Sequence, residues 1–370
     1  MFDIFRPAGE IKTELARYRL LSPSAAIRVS PLCLGAMSLG DQWTGFMGAR
    51  TDFDQATKLL DTFYEAGGNF IDTANNYQNE QSEMIIGEWM EKRGIRDEIV
   101  LATKYSTLGL DRNEGKFEGI AANYCGNHKK NLRLTVESSL KKLRTDYIDL
   151  LYVHWWDYST SIPELMQSLN DVVKSGKVLY LGISDTPGNL DRLSGQRGLW
   201  NVGTRDLERD IIPMCRANGM GLAPWGTLGQ GKFKSPEELQ KQSSWRGGAP
   251  PSDKDIKVSK ALQEVADEVG GGIRPANVAL AWARQSFADC FPVIGGTNPE
   301  HFKPHACLLC IQALKIHLTT EQIGKLAQAS DFDPGFPYIY FGTDPHYLPE
   351  GKPNSFLLNH AAHLEFTRLP

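Results

Sequence analysis

Residues 52–74 read DFDQATKLLDTFYEAGGNFIDTA. Phe53, Ala56, Leu59, Leu60 and Phe63 recur at spacings of three and four, which places them on one face of a helix. Gly67 and Gly68 end that helix, and the apolar run NFIDTA (69–74) reads as a strand. The alternation continues in both directions. Strand-like runs recur as VSPLCLGAM (29–37), IVLATKY (99–105), YIDLLYVHW (147–155), VLYLGIS (178–184), MGLAPW (220–225) and CFPVIGG (290–296). Between them lie helical patterns: SEMIIGEWMEKRG (82–94), with Ser82 as N-cap and Gly94 as stop, then 131–144, then 162–175 closed by Gly176. Strand alternating with helix predicts a parallel sheet, and near-continuous apolar strands predict burial on both faces. Seven strands spread along the chain fit a closed (β/α)₈ TIM barrel, an α/β fold, better than an open sheet. The first strand is followed by GAMSLGDQW (35–43), which is not the glycine-rich turn of an open nucleotide-binding sheet. From Ser184 to Arg205 neither a helix nor a β-branched run is evident, so one βα unit is expected to be truncated around residues 187–200. The expectation is a single barrel domain over residues 1–370, with extensions at 1–17 and 331–370.

Composition narrows the class. With 41% hydrophobic and 23% charged residues, the chain is globular rather than disordered, collagenous or coiled-coil. Forty Lys and Arg against 44 Asp and Glu, with no basic run, give no reason to expect nucleic acid as a partner. No apolar stretch is long enough to span a membrane. The N-terminal MFDIFRPAGEIKTELARYR has scattered charges and lacks the apolar centre of a secretory signal. Six cysteines then read as reduced thiols of a cytoplasmic protein.

In such a barrel, catalytic groups stand at the C-terminal ends of several strands. Reading only those ends yields Asp72, with Tyr77 just beyond it, then Lys104, then His154 followed by Trp155 and Trp156. Singly, each has an ordinary explanation: a carboxylate caps a helix, a lysine is solvated, a histidine is structural. On three successive strand ends they converge on one pocket. A phenol, with a usual pKa near ~10, is a poor acid at neutral pH. A nearby ammonium favours its anion, and a carboxylate holds that ammonium charged and in place. Histidine then orients a substrate oxygen. The set suits acid/base chemistry on a carbonyl/alcohol pair. No side chain supplies a hydride, so a nicotinamide cofactor is implied.

Phe70-Ile71-Asp72-Thr73-Ala74-Asn75-Asn76-Tyr77, with Ser82-Glu83 and Gly87 beyond, resembles the active-site segment of the aldo-keto reductase superfamily. Ala102-Thr103-Lys104 and Val153-His154 resemble its other two blocks, and the likeness runs from Tyr18 to the C-terminus. The resemblance implies that Tyr77 is the proton donor, that Asp72 and Lys104 tune it, and that His154 orients the carbonyl. An aromatic pair such as Trp155-Trp156 is usually core, but directly after His154, at the pocket mouth, it equally suits the lining of an apolar aromatic-substrate site. APWGTLGQGKF (223–233), WNVGTRD (200–206) and FDPGFP (332–337) are similar to segments of fungal aryl-alcohol dehydrogenases and norsolorinic-acid-reductase-like enzymes. That implies an aldehyde or ketone, aromatic in kind, interconverted with its alcohol, with a place in secondary metabolism.

For the cofactor, the same resemblance implies Asp72, Ser184 and Asp185 near the nicotinamide, with Trp200 stacked on it. Gly226, Thr227, Leu228, Gly229, Gln230, Gly231 and Lys232 would wrap the pyrophosphate, where glycine lets backbone N–H groups approach closely. Gly296, Thr297, Asn298, Glu300 and His301 would hold the adenosine phosphate. The subgroup has a basic residue where Thr297 stands, so NADP is implied with NAD left open, and Lys303 is a substitute cation. Two departures stand out. Residues 187–200 are too short for the family's helix and strand, which also supply a nicotinamide-binding Gln, and Gln196 has unfamiliar neighbours. His305-Ala306-Cys307-Leu308-Leu309-Cys310 is a small insertion. Gene-model error and divergence account for either equally well. The short segment motivates a rival reading, a cofactor-binding homologue with little catalysis.

Two decoys carry less. Gly226 to Lys232 fits G-x-x-x-x-G-K, but Phe233 follows where a P-loop needs Ser or Thr for magnesium. His301, His305, Cys307 and Cys310 invite a zinc reading, yet a lone C-x-x-C is common and this one is apolar.

Overall fold

The structure is a computed structural model that describes residues 7–47, 51–108, 119–186, 195–241, 250–296, 308–342, 355–360 and 363–364. A hairpin of β1 (Arg19–Ser22) and β2 (Ala25–Val29) comes first. The barrel strands are β3 (Cys33–Gly35), β4 (Phe70–Asp72), β5 (Val100–Tyr105), β6 (Ile148–Val153), β7 (Val178–Ser184), β8 (Gly195–Arg197), β9 (Gly221–Leu222) and β10 (Val293–Ile294). All eight are parallel and run β10-β3-β4-β5-β6-β7-β8-β9 around the sheet. Closure comes from the segment leading into β10. Leu222 pairs in parallel with Cys290, Phe291 N donates to Leu222 O at 2.8 Å, and Val293 N donates to Pro224 O at 2.9 Å.

The crossovers carry α1 (Phe53–Glu65), α2 (Gln81–Arg93), α3 (Lys129–Lys142), α4 (Ile162–Lys174), α5 (Ile211–Asn218), α6 (Asp253–Val269) and α7 (Pro275–Ser286). Their starts follow local chemistry. Asp52 and Gln55 form a reciprocal capping box on α1, and Ser161 caps α4, with Pro163 in its first turn. Apolar faces of the helices pack on the outside of the strands. Inside the barrel, Leu21 and Val29 of the hairpin join Phe70, Ala102, Leu150, Tyr152 and Phe291. A Cβ on Gly221 would come within 2.3 Å of the Leu21 carbonyl oxygen, so the hairpin sits directly against the end of β9.

Three expectations change. The run 29–37 is not one strand: Pro31, which has no N–H to give, lies in the break between β2 and β3. Ser82 is not a cap but lies inside α2, buried, where its hydroxyl donates to Ala36 O at 2.8 Å. The stretch after Ser184 does contain a strand. β8 pairs with β7 (Gly182 opposite Gly195, Ser184 opposite Arg197) and with β9 (Gln196 opposite Leu222). Gly-Gln-Arg carries no β-branched signal, and the two flanking strands supply the hydrogen bonds that extend it. Among the described residues the β7–β8 crossover has no helix, and residues 187–194 lie outside them.

Candidate active site

Asp72 is the last residue of β4 and Lys104 the fifth of β5, and both are buried. Lys104 Nζ donates to Asp72 Oδ1 at 2.7 Å and also to the Thr73 carbonyl. The same ammonium lies 4.9 Å from the centre of the Tyr77 ring. Tyr77 reaches this place through a tightly held loop. Thr73 N donates to Ala102 O and Asn75 N to Lys104 O, so the chain stays laced to β5 beyond the end of β4. After Tyr77, Gln78, Asn79 and Glu80 take positive φ of 50°, 50° and 74°. Three consecutive left-handed residues without glycine are costly, about 1–2 kcal/mol each, and such strain collects at functional sites. Side chains hold the loop there: Gln78 Nε2 donates to Met37 O, while its Oε1 accepts from Trp43 N, each at 2.8 Å.

His154 follows β6 directly, and its amide donates to Tyr105 O at 2.9 Å. Its ring meets Tyr77 edge-on at 5.8 Å and stacks on Trp155 at 4.6 Å. Burial, then the positive charges of Lys104 and Arg197, hold its pKa well below the usual histidine value, so the imidazole is neutral at pH 7. Nδ1 lies 3.3 Å from Thr107 Oγ1, and that oxygen accepts from Trp155 Nε1 at 3.1 Å. An indole N–H only donates, and a threonine hydroxyl has one proton to give. A Thr107 hydroxyl that takes from Trp155 still has its own proton to give to Nδ1, and in that tautomer Nε2 carries the ring proton.

Around the Tyr77 ring stand Trp43, edge-on at 6.1 Å, His154 and, behind it, the half-exposed Trp155. Trp43 comes from the β3 loop, where hydrogen bonds to Gln78 and Asn79 hold it beside Tyr77, and nothing in its local sequence marks it as a site residue.

Ser184 ends β7 and Asp185 follows it, and Ser184 Oγ donates to Asp185 Oδ2 at 2.7 Å. Trp225 Nε1 donates to Asp185 Oδ1 at 3.4 Å, and burial raises the Asp185 pKa. Trp200 is a correction. It is buried, donates from Nε1 to Glu208 at 3.0 Å and packs on Trp282 of α7 at 4.9 Å. It belongs to the layer outside the barrel, because β8 sends Arg197 inward and the chain turns Trp200 toward α7. The aromatic beside the β7 end is Trp225. In the following loop Gly226, Gly229, Gln230 and Gly231 all have positive φ, while Thr227 is buried and Leu228 half-buried. Only Gly231 has open space where a Cβ would stand. Lys232 is paired with Asp255 at 3.0 Å. Gly296 accepts from Ser38 Oγ at 2.8 Å, joining the β10 exit to the β3 loop. Thr297, Asn298, Glu300, His301, Lys303, His305 and Cys307 lie outside the described residues, and Gln196 is placed in β8 without a described side chain.

One residue of the site carried no signal in the sequence. Arg197, at the end of β8, places Nη2 3.1 Å from Asp72 Oδ1.

The aldo/keto reductase family model matches residues 31–331. The chain belongs to that family. It is an enzyme of the aldo-keto reductases, whose members have a (β/α)₈ barrel and act on small carbonyl compounds with nicotinamide cofactors. It is 48% identical over 368 residues to a Saccharomyces cerevisiae protein bearing an aryl-alcohol dehydrogenase name, covering 93% of this chain and 95% of that one. Norsolorinic acid reductase A of Aspergillus parasiticus is 46% identical over 353 residues, 91% of this chain and 87% of its own. Aryl-alcohol dehydrogenase [NADP(+)] of Phanerodontia chrysosporium is 44% identical over 369 residues, 93% and 94% respectively. This aldo-keto reductase is thus an oxidoreductase related to both kinds of enzyme, and no helix among its described residues is long and apolar enough to cross a membrane.

Proposed function

We propose that this aldo-keto reductase interconverts an aromatic aldehyde or ketone with its alcohol, using NADP(H), in secondary metabolism. The observation that carries the reading is the Tyr77 phenol, set over the Lys104 ammonium and beside a neutral His154 in a mouth walled by Trp43 and Trp155. The indole walls favour a flat, apolar substrate.

The residues fit a nicotinamide cofactor. Asp72 Oδ2 is buried without a partner, and Ser184 and Asp185 offer further polar atoms at a neighbouring strand end. The left-handed turn at Gly226–Gly231 offers backbone that a diphosphate can approach. Asp72, Ser184, Asp185 and that turn would hold the cofactor, which supplies the hydride to the carbonyl carbon. NADP is favoured over NAD by the name of the Phanerodontia relative.

Tyr77 gives its proton to the carbonyl oxygen as negative charge develops there. Lys104 then faces the phenolate, and Asp72 keeps that ammonium aimed at the ring. His154 donates from Nε2 to the same oxygen, in line with its neutral state and with Thr107 on Nδ1. The β7–β8 connection is read as a shortened βα unit that the barrel tolerates. The rival reading, binding with little catalysis, rests on the short segment after Ser184, and the unbroken strand order through β8 weighs against it.

Purified protein mixed with NADPH and a panel of aryl aldehydes should consume the cofactor. Tight NADPH binding with no turnover on any of them would favour the rival. Thr107→Val should lower kcat about three- to tenfold, the worth of one hydrogen bond that fixes the tautomer, and Thr107→Ser should restore it. Equal rates for the valine and serine variants would dismiss the relay.

A further inference from the structure

β8 lies across the barrel from β4, four strands away in the sheet order. Its inward positions are unusual. Gly195 faces the Tyr152 side chain, whose hydroxyl would lie 3.6 Å from a Cβ there, and Tyr152 likewise fills the space beside Gly182. Side chains alternate along a strand, so Arg197, two residues on, points inward above that layer. It is 6% exposed and spans the mouth to reach Asp72 on the far wall. Lys104 and Arg197 therefore meet on one oxygen, Asp72 Oδ1, at 2.7 and 3.1 Å. The guanidinium also interacts with the Tyr77 hydroxyl and, through its charge, with His154. Its Nε is buried and has no partner. A buried guanidinium is retained only where charge compensates it, and the nearest carboxylate is the one already serving Lys104.

We propose that Arg197 is a positioning residue of the proton-transfer site, a second cation that clamps Asp72 from across the barrel and steadies the anion left when Tyr77 gives up its proton. The inference rests on the reading of Tyr77 as proton donor. It makes the short β7–β8 crossover consequential, since the strand it delivers places a charge in the pocket. With two cations facing one carboxylate, the phenolate becomes the second counter-charge, and His154 is kept from competing for a proton.

The test uses the full chain with Arg197→Met, Arg197→Gln and Arg197→Lys. Tyrosinate absorbance is titrated without added cofactor, each variant read against the same variant carrying Tyr77→Phe, so that the difference reports Tyr77 alone. Removing a cation this close should move the Tyr77 limb upward by about one pH unit or more in the Met and Gln variants, and Lys should stay near wild type. The alkaline limb of the kcat profile for aldehyde reduction should move with it. Gln keeps a polar group of similar reach, so it separates charge from packing if Met fails to fold. An unmoved Tyr77 limb in the Gln variant overturns the proposal, whether or not the enzyme turns over. Moved limbs with turnover unaffected by Tyr77→Phe would leave the electrostatic clamp standing and remove the proton-donor reading instead.

Discussion

Tyr77→Phe is expected to lower kcat for NADPH-dependent reduction of a benzaldehyde by about 10²–10⁴-fold, the usual contribution of a well-placed general acid. Phenylalanine keeps the ring and removes the hydroxyl, together with its interaction with Arg197. The edge-on contacts to Trp43 and His154 and the position over Lys104 belong to the ring, not to the hydroxyl. The left-handed turn over Gln78–Glu80 is held by Gln78 and by contacts with the β3 loop, none of which uses the Tyr77 oxygen. Stability and cofactor affinity should therefore stay near wild type, and the loss should fall on kcat. His154 should not rescue the reaction. It is neutral near pH 7 and its Nε2 proton is placed to donate a hydrogen bond, yet a neutral imidazole is a far weaker acid than an imidazolium. Turnover within a few-fold of wild type would remove Tyr77 from the mechanism. A loss shared equally between kcat and the unfolding midpoint would show that the variant damages the loop rather than the chemistry.

The four strand-end residues were legible because their types are rare together and strand ends are easy to find in apolar runs. Asp72, Tyr77, Lys104 and His154 do converge, and the crossovers that place them are helices whose apolar periodicity and glycine stops stand in the sequence, though the cap expected at Ser82 does not hold. What escaped reading was set by packing. Arg197 follows a glycine and a glutamine, and nothing local marks it as strand or as inward-facing; β7 and β9 decide both. Trp200 reads as an aromatic that stacks on the nicotinamide, but packing against Trp282 and a hydrogen bond to Glu208 hold it in the outer layer. Trp43 joins the site through Gln78 and Asn79, both in a backbone conformation that no propensity would assign to three successive non-glycine residues. Thr107 is ordinary by type and takes its meaning from the stacked pair His154 and Trp155.

Lys142→Met should destabilise the fold by about 3–5 kcal/mol, the range for breaking a buried ion pair from one side. Lys142 closes α3 and is buried, with Nζ 2.8 Å from Glu83 and 3.2 Å from Glu80. It also donates to the Asn75 carbonyl at 3.3 Å, directly behind the loop that carries Tyr77. Glu83 in turn accepts from Thr103 Oγ1 at 2.6 Å, one residue before Lys104. The cluster thus backs both Tyr77 and Lys104 without touching the pocket. It exists because α2 packs closely on the end of α3, where a Cβ on Gly87 would come within 2.3 Å of the Lys142 carbonyl oxygen. Burial works against the ammonium, but Glu83 and then Glu80 outweigh it and raise its pKa. A lysine raised in the folded state contributes its stability in full below the ordinary lysine value and loses it only as pH rises past the raised one. The effect should therefore be undiminished at neutral pH and fade on the alkaline side. Methionine keeps an unbranched apolar stem one atom shorter than lysine and removes the ammonium that faces the two buried carboxylates. If the lost ion pairing is the cost, adding Glu80→Gln and Glu83→Gln to Lys142→Met should recover part of the loss in unfolding midpoint. A cost that stays the same after both glutamates are neutralised would mean that Lys142 acts through its packing on α2 and not through its charge.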